Sequence, residues 1–151
     1  MPVDPIDEQI LAKIATRLGA IVSGATYFYT PGEVARDWKN WDEVKRFPFY
    51  GVIEGARVRT EDTYTKVETT LTAHIVGWVN GDKMGVSRRI AVNRAIADVI
   101  RAIYTDESWD GLVLITQVPE IATDEAAVAA NPYAYFEIKL SIDYQLDRTA
   151  V

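Results

Sequence analysis

The sequence predicts an α+β fold, in which two main helices pack on one face of a mainly antiparallel, mixed sheet. Three observations indicate this class. Two segments carry apolar residues at helical spacing, several others alternate apolar and polar residues, and the segment order is neither a strict βαβ alternation nor all-β. The chain has 151 residues and no internal repeat, which favours one domain over residues 1–151.

The first helix is predicted between Asp4 and Gly19. Asp4 suits the N-cap, Pro5 suits the first helical position, and Gly19 suits the position just after the helix. One apolar stripe repeats every four residues and comprises Ile6, Ile10, Ile14 and Leu18.

Two segments with different character follow this helix. The β-favouring residues of Ala25–Tyr29 predict a short strand. Thr30–Arg46 is polar and predicts a long connection. Its two tryptophans, Trp38 and Trp41, either fold back over the edge of the core, which we favour, or form an exposed contact with a partner.

The middle of the chain predicts two strands joined by a charged connection. Phe47–Glu54 reads as a strand, with Pro48 at its start or on an edge because proline cannot donate to a ladder. Arg57–Lys66 is polar and predicts a protruding hairpin connection. Lys66–Val79 alternates apolar and polar residues, which is typical of a half-buried antiparallel strand.

The second half predicts a helix over Val86–Tyr104 and two further strands. One face of the helix is apolar, and its opposite, solvated face carries Arg94, Asp98 and Arg101 at spacings that allow charge pairing. The apolar run Leu112–Val118 predicts a central strand buried on both faces. After an Ala-rich connection over 123–132, residues 134–145 show the sharpest alternation in the chain and predict the last strand.

Composition excludes most familiar enzyme chemistry. The chain has no cysteine, a single histidine and a net charge of −6, so it lacks thiol chemistry and disfavours nucleic acid as a specific partner. No apolar run is long enough to cross a membrane, and neither a phosphate-binding loop nor a dinucleotide fingerprint is present. We expect no cofactor.

Two groups of residues carry the remaining chemical alternatives. His74 has no carboxylate two positions away on its strand, which favours an ordinary polar residue, although a Ser/His/Asp arrangement from distant segments stays open. Asp106, Glu107 and Asp110 suit either a hard cation or a solvated loop after a helix, and we favour the loop. We therefore expect no catalytic site and no metal site.

Several segments together resemble the tail terminator (tail completion) proteins of long-tailed bacteriophages. The resemblance rests on element order and hydrophobic pattern, and it covers most of the chain. It is carried by the opening amphipathic helix and by Gly24–Phe28, Phe47–Gly55, Val67–Val76, Ala97–Ile103 and Tyr135–Tyr144.

This resemblance implies a structural virion protein rather than an enzyme. Proteins of this family form a hexameric ring that caps the tail tube, ends its polymerisation and offers a surface to the head–tail connector, after assembly in the bacterial cytoplasm. The implied partners are further copies of the chain, the tail tube protein and the connector protein, with DNA passing through the ring without specific binding and no membrane involved.

The expected contact residues are exposed aromatic side chains and outward-pointing charges. Three alternatives stay open: another head–tail connector or neck ring protein, a small hydrolase using His74, and a monomeric ligand-binding module. The candidate interface residues are Trp38, Trp41, Arg57, Arg59, Lys66, Glu137, Lys139 and Asp143.

Overall fold

A computed structural model describes residues 2–62, 66–124 and 132–147. Over these ranges the chain forms a mixed sheet with helices, which confirms the predicted α+β class. A short 3₁₀ turn spans Trp41–Glu43. The elements are α1 (Ile6–Gly19), β1 (Glu33–Ala35), β2 (Phe49–Asp62), β3 (Lys66–Asn80), α2 (Gly81–Met84), α3 (Arg88–Thr105), β4 (Ile115–Asp124) and β5 (Tyr133–Asp147).

The sheet has the strand order β1-β2-β3-β5-β4. The three-residue β1 runs parallel to β2, and every other neighbouring pair is antiparallel. The strand over Lys66–Asn80 is central and pairs along its whole length with the last strand. The alternation predicted for these two strands is therefore confirmed, and each turns alternate residues toward the core.

The core lies between the sheet and the two long helices, which pack on the same face. The inward face of α3 packs on alternate residues of β3 and β5, and the apolar stripe of α1 packs against β2 and α3 in the same core. The helical spacing identified the stripe correctly, since burying an apolar face is what holds a helix to a sheet. The fully buried contributors include Ile10, Leu11, Ile14, Leu18, Leu71, Ile75, Val99, Ile103, Ile138 and Leu140.

The ends of α1 differ from the prediction. Pro5 occupies the N-cap with extended backbone angles, and no side chain caps the helix, so the prediction of Asp4 as the N-cap is wrong. The Gln9 side chain instead donates to the Asp4 carbonyl at 2.7 Å. Gly19 is the last helical residue, and the C-cap is Ala20 in a right-handed conformation that needs no glycine.

The strand predicted over Ala25–Tyr29 is wrong. This segment forms a turn with one isolated bridge, between Ser23 and Tyr27, and it lies against α3. The Asp98 carboxylate accepts hydrogen bonds from the backbone N–H groups of Phe28 and Tyr29, at 2.9 and 3.0 Å. Backbone donors outside a sheet need other acceptors, and here one helical side chain supplies them.

Asp98 is therefore buried, which corrects the solvated face predicted for α3. Burial raises the pKa of its carboxyl, and the two backbone hydrogen bonds act in the opposite direction. Arg101 donates to the Thr26 carbonyl at 2.8 Å, and the Arg94 guanidinium lies over the Phe28 ring at 5.1 Å. The polar side of this helix is a docking surface for the turn that follows α1.

The apolar run Leu112–Val118 is not a central strand. Its first part is a loop, in which Val113 enters the core, and β4 begins only at Ile115 on the edge of the sheet. A short apolar run is compatible with several environments, and here its side chains divide between the core and the solvent.

The charged connection after Glu54 is mostly strand. β2 continues to Asp62 with two irregularities in its register, and β3 begins at Lys66. The predicted Ala-rich connection lies largely at 125–131, outside the described residues. None of the helices in the described ranges is long and apolar enough to span a membrane.

Candidate functional site: the open face of the sheet

The helices cover one face of the sheet, and the opposite face presents side chains to the outside. We call this second surface the open face. The strand register sets Thr72 opposite Ser141 and His74 opposite Lys139. Its polar members are mostly half-buried, because long neighbouring side chains cover one another. The open face comprises Thr70, Thr72 and His74 of β3, together with the buried Val76, and Glu137, Lys139, Ser141 and Asp143 of β5.

Polar contacts between neighbouring strands organise this face. His74 Nδ1 lies 2.8 Å from Glu137 Oε1, although the nitrogen makes no well-aligned hydrogen bond. Thr70 Oγ1 donates to Asp143 Oδ1 at 2.6 Å. The strand that carries His74 has no carboxylate two positions from it, and the contacting carboxylate comes from β5, more than sixty positions away along the chain.

The open face also contains the residue types that a hydrolase would need. Ser141 and Glu137 lie diagonally on either side of His74 along β5. However, no hydrogen bond joins His74 to Ser141 in the described part of the chain, and Lys139 is the residue directly opposite the imidazole. The arrangement supplies alternating charge rather than an activated nucleophile.

Aromatic side chains gather at one end of the open face. Trp78 and Tyr135 pack at 5.0 Å between ring centroids, and the Trp78 indole N–H donates to the Lys39 carbonyl at 2.8 Å. Trp41 packs on Tyr133 at 4.7 Å. The loop after β1 thus folds back over the sheet edge, as favoured from the sequence.

The two loop tryptophans nevertheless remain partly accessible. Trp38 is 49% exposed and Trp41 is 40% exposed. Tryptophans that are held in place by packing and also reach the solvent are typical of protein interfaces. This end of the open face therefore has the properties of a protein contact surface.

Two of the predicted basic contacts lie elsewhere. Arg57 and Arg59 are on the helix side of β2, whereas Lys66, the first residue of β3, lies on the same side of the sheet as Thr70 and His74. Arg57 Nη1 lies 2.8 Å from the carboxylate of Asp7, and the same guanidinium contacts Glu54. A cavity of about 730 Å³ adjoins this cluster at the start of α1. The structure therefore separates the eight predicted residues, because Arg57 and Arg59 lie on the helix side of the sheet. The other six lie on the open-face side or border it, namely Trp38, Trp41, Lys66, Glu137, Lys139 and Asp143.

The acidic loop after α3 is organised by its own hydrogen bonds. Asp106 accepts from the backbone N–H and the hydroxyl of Ser108, at 3.0 and 2.6 Å, and from the Asp110 N–H at 2.9 Å. The Ser108 hydroxyl and these N–H groups lower the pKa of Asp106 to about 2. Within the described residues, no group of three or more acidic or histidine side chains could hold a metal ion.

We expect this loop to make stability depend on acidity. The pKa of Asp106 is lower in the folded protein than its ordinary value of 3.8. The charged carboxylate therefore stabilises the fold at pH values above 3.8, and this contribution is lost as the pH falls toward about 2. The Asp106→Asn variant should therefore have a lower melting temperature than the wild type at neutral pH, and the difference between the two melting temperatures should decrease in acid. Thermal unfolding followed by circular dichroism from about pH 6 to about pH 2 measures this difference.

The control for this prediction is Asp110→Asn. Asp110 is exposed and its carboxylate pairs with Lys13 at 2.9 Å, so its removal should matter little throughout the same range. A melting gap for Asp106→Asn that stays constant with pH would contradict the assigned role of the charge.

Two residues that the structure buries, Asp98 and Trp109, were not predicted from the sequence to be buried. The burial of Asp98 had a signal, since the residue lies three positions after Ala95 and four before Ala102, both on the buried face. The burial of Trp109 had none, because the residue lies in a loop of acidic and small residues. Loop residues reveal no periodicity from which an inward direction can be read.

Comparison with known proteins adds no identity. No protein-family model matches the chain, and no curated protein matches it significantly.

Proposed function

We propose that this protein is the ring-forming subunit that caps the tail tube of a long-tailed bacteriophage, ends its polymerisation and provides the surface for head–tail joining. The proposal rests on the resemblance of the opening helix and five later segments to tail terminators. The structural observation that supports it is the open face, a charged surface edged by exposed tryptophans on a sheet that carries helices on one side alone in the described ranges. Such a surface suits contact with another protein.

The mechanism has two parts. Each subunit uses two different patches to contact its two neighbours, and the rotation between neighbours closes a circle. One side of the ring then imitates a layer of tube subunits and binds the tube end. The other side lacks the complementary surface, so no further tube protein adds.

Charge sets the register of these contacts. Glu137, Lys139 and Asp143 alternate in sign along the open face, so a shifted neighbour meets like charges. The net charge of −6 per subunit is multiplied around a ring. A lumen of negative sign repels the phosphate backbone, which lets DNA pass without adhering.

Assembly of tails with and without this protein tests the proposal. Tails formed in its absence should be overlong in electron micrographs, and added wild-type protein should restore a uniform length. The Lys139→Glu variant should fail to restore it, because it places a third carboxylate between Glu137 and Asp143.

Asp110→Asn provides the matched variant, because this exposed acidic residue lies in the loop after α3, away from the open face. It should restore tail length as well as the wild type does. Uniform tails of normal length in the complete absence of the protein would contradict the proposal. A tail of normal length that does not join heads would favour the connector or neck ring alternative.

A further inference from the structure

The sheet has two long edges that no described strand covers. β1 pairs only with Phe49–Gly51, so the stretch Val52–Asp62 of β2 has a strand neighbour on one side only. β4, which has 10 residues, lies at the other end of the strand order and pairs with β5 alone, with an irregularity at Val118 and Pro119. Unpaired edges carry rows of backbone N–H and C=O groups that can pair with another strand.

Exposed aliphatic side chains mark these same edges. Among the described strand residues, the large hydrophobic side chains that are markedly exposed are Val58, Ile115 and Ile121, at 56%, 41% and 44%. All three lie in the uncovered stretch of β2 or in β4. Exposed aliphatic groups beside free backbone donors and acceptors are typical of a surface that another strand covers.

The two edges run in compatible directions. β2 is antiparallel to β3, β3 to β5, and β5 to β4, so β2 and β4 run in opposite directions within one sheet. When a second copy lies beside the first in the same orientation, its β4 therefore runs antiparallel to the β2 of the first. Antiparallel pairing is the slightly more stable arrangement.

Side-chain direction is also compatible between the two edges. Val58 of β2 and Ile115 of β4 both project on the open-face side, so these exposed aliphatic groups lie on the same side of a sheet that continues from one copy to the next. In a sheet that continues across the contact, Val58 lies on the open-face side, as do Gln117, Glu120 and Ala122.

We propose that the uncovered stretch of β2 in one copy pairs antiparallel with β4 of a second copy of this chain, so that the sheet continues from subunit to subunit. This deepens the proposed function, on which it rests for the expectation that the series closes into a ring. Because the two edges differ, the contact is heterologous and repeats around the ring.

Cysteine cross-linking tests this pairing directly, since the natural chain has no cysteine. Val58→Cys is combined in turn with Gln117→Cys, Glu120→Cys or Ala122→Cys. Facing residues on the same side of antiparallel strands approach closely enough for a disulfide. Mild oxidation, with and without tail tubes, should give at least one combination a ladder of covalent oligomers on a non-reducing gel.

The matched control combines Val58→Cys with Thr123→Cys. Thr123 is exposed on the same strand but on the helix side of the sheet, opposite Phe136. It should cross-link about tenfold less, because successive side chains point to opposite faces. The single variant Val58→Cys should give no product larger than a dimer.

The outcomes separate this inference from the proposed function. If every double variant gives only dimers, the edge pairing is wrong. If rings form on tube ends but no variant gives a ladder, the edge pairing is also wrong, whereas the capping function is supported. A ladder together with tails of normal length in the absence of the protein supports the pairing and overturns the capping function.

Discussion

Replacing Trp109 with alanine should lower the free energy of unfolding by about 3–5 kcal/mol, the range found for removal of a buried aromatic side chain. Trp109 is the largest fully buried side chain in the described part of the chain. Its indole N–H donates to Thr116 Oγ1 at 2.9 Å, and the Arg17 guanidinium lies 3.9 Å from the ring centre. Alanine would leave a cavity and also remove the hydrogen bond to Thr116.

Denaturant unfolding measures this loss, and two variants control it. Trp38→Ala removes the same side chain from a half-exposed position, and we expect a loss below about 1 kcal/mol. Trp109→Phe retains a ring but not the donor, and should fall between the wild type and Trp109→Ala. Equal losses for Trp109→Ala and Trp38→Ala would contradict the anchoring role assigned to the loop after α3.

Gly77→Ala should also destabilise the fold strongly. We expect overpacking to lower the free energy of unfolding by about 1–3 kcal/mol or more. A methyl group at this position of the central strand would lie 2.3 Å from two atoms of the Phe136 ring and 2.8 Å from the Phe49 carbonyl oxygen. These distances are too short for van der Waals contact, so the ring or the strand has to shift. Gly77 thus provides the space that the neighbouring ring fills.

Gly19→Ala is the control for this substitution. Gly19 is the last residue of a helix and has open space at the Cβ position, so alanine there should be neutral or stabilise by up to about 1 kcal/mol. The double variant Gly77→Ala with Phe136→Leu should lose less than the sum of the two single losses, because a smaller side chain makes room for the methyl group. Additive losses would show that the clash with Phe136 is not the cause.

Part of the candidate site followed from local pattern. The alternation of β5 placed Glu137, Lys139 and Asp143 outward and its apolar residues inward, and the structure confirms both directions. Which residues these charges meet could not be predicted in the same way. The contacts of Glu137 with His74 and of Asp143 with Thr70 depend on the pairing register of two strands that are far apart along the chain.

The sequence by itself determined both amphipathic helices and the inward faces of the two central strands, because each of these follows from a repeat of two to four residues within one segment. The order of these segments along the chain then determined the fold class. Only the tertiary structure decided that Ile115–Asp124 lies at the edge, that Trp109 is buried and that Asp98 holds a distant turn. Those outcomes depend on which segments meet across the core, and the energy of such contacts is a property of the pair rather than of either segment alone. The uncovered edges of β2 and β4 arise in the same way, since an edge exists only once every other strand has taken its place.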